Sequence, residues 1–411
     1  MGLEANNIPI FMSELSPPAI RGSLINFYQW WQIVGVILAH IVVLQSNKIW
    51  PDSQWGWRLV MVVQIIVPCL LLGIYWILPE SPKWLISKGR HDDAKKSLMY
   101  IRRGAATEAE VDEEMKLTEA AVAEQEEFHH VTTYWDCFKG TNGRRTLIAT
   151  SVQVLQQLSG NAFMSSYAVI FLQQAGITNV FVSSLARTCM GLAGATMGFY
   201  LPDKIGRRPL FIGTAAVMWA GLWITSGISA WWPGGIHGGA VAQGLLALQL
   251  IWAMMSTAGW GSCVWITTAE AATAQLREKT LSIATTISFI CVLLVSYINP
   301  FVQNEPGNLG AKVGFIYGSF SLIAVFWVFF IVPEMKGRSL EELDELFQNN
   351  VPARSFRSYH ATGIGAQITE ISNINADPHL HITKGVTQGG LEVTTHEAWP
   401  EPEGRSKDNK P

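Results

Sequence analysis

The chain has 411 residues, of which 49% are hydrophobic and only 15% charged, and its mean hydropathy is +0.22. A formal net charge of −3 carries none of the basic excess of a nucleic-acid binder, so no nucleic-acid partner is expected. The five cysteines show no metal-ligand spacing, and no nucleophile–base pair stands at a span end, so neither a metal, a cofactor nor an enzyme is expected.

The apolar residues are gathered into blocks. About 20 apolar residues at roughly 1.5 Å rise each cross a hydrocarbon core. Windows of that kind fall at 22–46, 59–78, 146–171, 180–201, 209–232, 240–268, 280–303 and 312–332. All eight are predicted as spanning helices, which makes the chain an all-α polytopic membrane protein. The opening residues MGLEANNIPIFMSEL lack a basic start followed by an apolar run, so no signal peptide is read there. Between the second and third windows, HDDAKKSLMYIRR and EAEVDEEMKLTEAAVAEQEEF are rich in helix formers with charges at i,i+4 spacing, and residues 79–145 are predicted as a linker of short helices. After the last window, SLEELDELF predicts one more helix, and the distal part of the tail 333–411 has the composition of a disordered segment.

Lysine and arginine settle the orientation. Residues 79–146 hold eleven of them, and Arg21, Lys204, Arg207, Arg208, Arg277 and Lys279 fall on the same side, against Lys48, Arg58, Arg187 and Lys312 elsewhere outside the tail. The positive-inside rule then places the linker and the tail in the cytosol. His40 and Arg187 sit within spans. A packing histidine and a snorkelling arginine are the preferred readings, with a pathway role as the rival of each.

A repeat runs through the chain. Glu14 and Arg21, seven apart, precede the first window, and Glu270 and Arg277, also seven apart, precede the seventh. Pro79-Glu80 follows Glu14 by 66 residues, and Pro333-Glu334 follows Glu270 by 64. Parallel repeats of this size mark one class of secondary transporter. The second repeat holds six windows and the first only two with a stub. By symmetry about 110 residues, three spans and most of a fourth, are expected upstream of Met1, and the chain by itself is expected not to transport.

Five motifs stand in order: P-I-F-M-S-E-L-S-P-P-A-I-R-G (9–22), P-E-S-P-K-W-L (79–85), Q-Q-L-S-G (156–160), D-K-I-G-R-R-P (203–209) and P-E-M-K-G-R-S-L-E-E-L (333–343). Together they resemble the sugar porter branch of the major facilitator superfamily. G-N-A-F, Tyr167 and Q-Q-A-G (173–176) are similar to fungal α-glucoside, maltose-type permeases. The resemblance implies a major facilitator fold with an incomplete amino-terminal half: 1–78 as the end of the fourth span with the fifth and sixth, 79–145 as linker, 146–332 as a six-helix bundle, and 333–411 as tail.

The same resemblance implies a site. Gln156, Gln157 and Gln29 look like the family's sugar contacts, joined by Asn161, Tyr167 and the substrate-stacking Trp265. An amide buried in a span needs a polar partner, and sugar hydroxyls both donate and accept, though hydrogen bonding between helices would satisfy it as well. The family's usual asparagine position is Ala162 here, a slip of one residue that on a regular helix turns the side chain by about 100°. Ser288, Ser262 and Val264 replace other familiar residues, which suits a sugar other than glucose. Glu14, Arg21, Glu80, Asp203, Arg207, Arg208, Glu270, Arg277 and Glu334 are expected to form a gating network of carboxylate–guanidinium pairs; positive-inside anchoring is the rival for the arginines. The resemblance implies alternating access and proton-coupled uptake of an α-glucoside or another sugar in the plasma membrane. The alternatives are a transporter of another polyol or an organic acid, and a sensor or inactive form that binds without translocating.

Overall fold

In the computed structural model, residues 11, 21–75, 78–103, 107–131, 133–165, 173, 180–231, 240–338, 340–356 and 358–359 are described. Glu14 and Tyr167 lie outside them. The described residues form helices joined by short turns, with no strand among them.

Seven helical stretches are long and apolar enough to cross a membrane: Gln29–Ile49, Trp55–Tyr75, Val180–Met197, Arg207–Trp231, Ala240–Ala271, Arg277–Gln303 and Gly310–Ile331. They match seven of the eight predicted windows. The first two lie in helices α1 (Arg21–Ile49) and α2 (Trp55–Tyr75). No residue of α2 is fully buried, while α1 packs on the helix Val180–Met197 of the second repeat.

The linker folds as α3 (Pro82–Ser87), α4 (His91–Ile101) and α5 (Glu108–Val131). Ser81 caps α3 by accepting the Trp84 amide at 3.4 Å, and Pro82 at the first helical position needs no amide partner there. Leu85, Ile86, Ala94, Leu98, Val111, Met115 and Val122 bury a small core of their own. The charges read as i,i+4 partners work mainly between helices: Lys95 pairs with Asp112 at 2.6 Å, Arg102 with Glu114 at 2.8 Å and His91 with Glu119 at 2.7 Å. Burying the apolar face of α4 on α5 sets their charged edges side by side, which a single-helix pattern does not reveal.

After a turn at Tyr134–Phe138 the chain enters α6 (Gly140–Gln156), which starts six residues before its predicted window. The window was expected to be one helix. It breaks instead into a π turn over Gln157–Asn161, where Gly160 has φ 108°, before helix resumes at Ala162. Residues 166–171 of the window lie outside the described residues.

The second repeat continues as α7 (Val180–Met197), α8 (Arg207–Trp231), α9 (Ala240–Met255), a second π turn at Ser256–Gly261, α10 (Ser262–Ala271), α11 (Arg277–Gln303) and α12 (Val313–Ile331). Their shared core includes Ile148, Phe163, Met218, Trp252, Trp260, Tyr317 and Ala324. Pro300 sits inside α11, which membrane helices tolerate when neighbours take up the freed carbonyl.

Beyond α12, the predicted tail helix forms as α13 (Leu340–Gln348). Order continues past Asn349, where aperiodic sequence begins. Phe356 and Phe347 are fully buried with ring centroids 5.1 Å apart. Arg144 donates to the Val351 carbonyl at 2.9 Å, and Arg338 donates to the carbonyls of Phe356 and Tyr359. Two aromatic anchors and a few carbonyls hold a segment whose composition suggests none of this. Residues 360–411 lie outside the described residues.

Candidate functional site

The residue that leads into the first π turn reaches the second. A π turn leaves backbone carbonyls without their usual helical donors, and Gln156 uses one of them: its Nε2 donates to the Trp260 carbonyl at 2.8 Å. Gln157 Nε2 reaches Gln156 Oε1 at 3.3 Å and Ser288 Oγ at 3.2 Å. Gln156 is buried and Gln157 half-buried. Neither amide faces acyl chains alone, so the desolvation of about 1–3 kcal/mol per buried polar group is met inside the protein.

Gln29 joins this layer from the other repeat. It lies against the second π turn so closely that a Cβ on Gly261 would stand 2.9 Å from its Nε2. One residue on, Trp30 Nε1 donates to Thr196 Oγ1 at 3.1 Å, tying α1 to α7. Polar side chains of α1, α6 and α11 thus gather around the turn between α9 and α10. Of the remaining predicted contacts, Asn161 and Trp265 are half-buried, Asn161 at the end of the first π turn and Trp265 one helical turn past Gly261. The 100° rotation expected from the Asn161 slip does not hold, because the helix is irregular at that point.

Sequence reasoning missed the carbonyl of Trp260, a residue that is itself fully buried with its ring 4.8 Å from Phe211. The available signal was Gly259 and Gly261 flanking it inside a span. Within the spans, His40 Nδ1 lies 2.9 Å from the Val36 carbonyl of its own helix, as a packing histidine does. Arg187 is half-buried with Nε enclosed and without a hydrogen-bond partner.

A second cluster lies at the end of the bundle nearest the linker. Arg207 is buried, and its Nη2 stands 3.0 Å from Glu270 Oε1 and 3.1 Å from Asp203 Oδ1 while Nη1 donates to the Pro202 carbonyl. The Glu334 carboxylate accepts the backbone amides of Arg207 at 3.0 Å, Arg208 at 3.1 Å and Lys336 at 3.0 Å. It thereby caps the amino end of α8, where the helix dipole favours negative charge. Arg208 donates to the Phe329 carbonyl and covers that ring at 5.3 Å. Arg277 is half-buried at the start of α11, and Glu80 is exposed beside the linker. The described pairs of this cluster all lie within the second repeat; Glu14 is outside the described residues, as is the side chain of Arg21.

The family model for the sugar (and other) transporter family matches residues 1–347. A general α-glucoside permease of Saccharomyces cerevisiae is 30% identical over 388 residues, covering 93% of this chain and 62% of the permease. The major facilitator-type transporter ecdD of Aspergillus rugulosus is 28% identical over 398 residues, covering 94% of this chain and 73% of that one. This chain thus spans less than two thirds of the permease's length. Among solved structures, the proton:xylose symporter XylE bound to 6-bromo-6-deoxy-D-glucose superposes with a TM-score of 0.64 at 23% identity, covering 84% of this chain and 71% of that one. That likeness shows the major facilitator fold. With the family model matched along most of its length, this multi-pass membrane chain belongs to the sugar (and other) transporter family.

Proposed function

We propose that the chain carries the binding layer of an alternating-access sugar transporter, whose substrate is an α-glucoside or a related sugar and whose uptake is coupled to protons. The observation that carries this reading is the polar layer of Gln29, Gln156, Gln157 and Ser288 around the two π turns. Amides at that depth can exchange their mutual hydrogen bonds for those of sugar hydroxyls. Trp265, Asn161 at the end of the first π turn and Tyr167 complete the proposed subsite, with the indole covering an apolar pyranose face. The α-glucoside permease supports the substrate class, and the proton:xylose symporter supports the coupling.

The Arg207–Glu270–Asp203 pairs, with Glu334, Arg208, Arg277, Arg21, Glu14 and Glu80, are proposed as a charged latch on the cytosolic side that holds in one access state and loosens in the other. An exposed member such as Asp203 contributes about 0–1 kcal/mol and breaking the enclosed Arg207–Glu270 pair costs more, so that together they bias an equilibrium of a few kcal/mol. Linker and tail would face the cytosol, and the membrane would be the plasma membrane.

Saturation binding to the purified chain tests the reading, with radiolabelled maltose competed by glucose, xylose, inositol and quinate. Saturable maltose binding displaced by unlabelled maltose more readily than by the four competitors supports it. Preferential displacement by inositol or quinate moves the assignment to a polyol or an organic acid, and the absence of saturable maltose binding overturns it.

A further inference from the structure

The first π turn rests on α12, and how it does so assigns a role to residues outside the binding layer. The Ser159 carbonyl within the turn accepts the Ser321 hydroxyl at 3.2 Å. Gly160, at φ 108°, lies where a Cβ would meet Trp252 of α9 at 3.2 Å, Leu222 of α8 at 3.4 Å and, at ordinary contact distance, the Tyr317 Cβ of α12 at 3.7 Å. Phe163, two residues past the turn, stacks on Tyr317 with centroids 4.6 Å apart and planes 11° apart. Tyr317 is not free to rotate, since its hydroxyl donates to Asn299 Oδ1 at 3.1 Å and Asn299 Nδ2 in turn donates to Gln303 Oε1 at 3.0 Å. Asn299 and Gln303 are almost fully buried. Polar side chains in such a place are expensive unless satisfied, and a satisfied network rigidifies what it holds.

We infer that Tyr317, anchored by Asn299, is a positioning residue that holds the Gln157–Asn161 turn in its irregular form and so aims Gln156 and Gln157 into the binding layer. Simple glue between helices would need only the hydroxyl bond between α12 and α11. Here that bond fixes a ring whose other contact is the segment just past the paired glutamines, on a third helix. Ser321 acts on the same segment from the next turn of α12. A shift of about 1 Å at a binding group can cost up to a hundredfold in function, so a loosened turn is expected to appear in affinity before it appears in stability.

The inference rests on the sugar-carrier reading for its affinity effect but not for its structural effect, which lets the two be tested apart. Tyr317→Phe keeps the stacked ring and removes only the hydroxyl, so the variant retains its packing volume. Ser319→Ala serves as the control, because that hydroxyl bonds within α12 to the Phe315 carbonyl. Backbone hydrogen exchange at 157–163 and maltose affinity are read together on the purified 411-residue chain. The expected result is faster exchange confined to 157–163 and about tenfold weaker binding in Tyr317→Phe, with neither change in Ser319→Ala. Unchanged exchange at 157–163 in Tyr317→Phe overturns the inference. Faster exchange with undiminished affinity overturns the claim that the turn aims the glutamines. Should the unaltered chain bind no sugar, the carrier reading fails, and the exchange data alone decide whether Tyr317 holds the turn.

Discussion

Gly206 and Glu334 are packed against each other so closely that a Cβ on Gly206 would lie 2.6 Å from the Glu334 Oε2 atom. Gly206 also has φ 104°, a conformation side chains rarely adopt. The absence of a side chain is what lets the carboxylate reach the amides that open α8. Gly206→Ala is therefore expected to lower stability by about 1–3 kcal/mol, measured as a fall in the thermal unfolding midpoint in detergent. An unchanged midpoint would mean that the cap contributes nothing.

Arg207 and Glu270 are expected to behave as a coupled pair. Replacing Arg207 by Met strands an enclosed carboxylate whose Oε2 already lacks a partner, and should cost about 3–5 kcal/mol. The double variant Arg207→Met with Glu270→Gln should cost clearly less than the sum of the two single changes. A thermodynamic cycle on unfolding midpoints checks this, and strict additivity would contradict it.

The proximal tail is held by Arg145, almost fully buried, which pairs with Asp344 and lies 4.3 Å over the Phe347 ring. Phe347→Ala is expected to remove about 3–5 kcal/mol from the docked segment. Trypsin cleavage at Arg338 and Arg354, measured under native conditions, should accelerate by at least tenfold while the spans stay protected. Equal cleavage rates in both proteins would show that Phe347 is not the anchor.

Asp136 lies just ahead of α6, where its carboxylate is bonded to Lys139 at 2.7 Å and to the Thr133 amide at 2.6 Å. The Lys139 bond, followed by the Thr133 bonds, holds its pKa well below 3.8. A depressed folded pKa means that the stabilisation is present above the unfolded value and is lost only as pH falls through the folded one. The turn at Tyr134–Phe138 should accordingly persist on acidification to pH 3.8 and weaken only below it, and Asp136→Asn should abolish that weakening. Carbon NMR of the labelled carboxyl reads the titration directly.

The spans were readable because a 20-residue uncharged window has few other uses, and seven of them fall within a few residues of the observed helices. The two π turns were not. Gly160, Gly259 and Gly261 are visible in the sequence, but only backbone geometry distinguishes a glycine that lets helices approach from one that breaks a helix. The Glu270 and Glu334 positions stood out through the repeat, yet their chemistry differs: Glu270 forms an ion pair, while Glu334 caps a helix through backbone amides that no side-chain pattern encodes. Gln156 and Gln157 were singled out as polar groups within a span. That they bond to the Trp260 carbonyl and to Ser288 depends on contacts 104 and 131 residues away.

The central claim is that Gln157 exchanges its bonds to Gln156 and Ser288 for bonds to a sugar. Maltose affinity of Gln157→Ala, compared with the unaltered chain by saturation binding, tests it most directly. The account predicts at least about tenfold weaker binding, equivalent to roughly 1.4 kcal/mol, with an unfolding midpoint close to that of the unaltered chain. Equal affinity in the two proteins would contradict it.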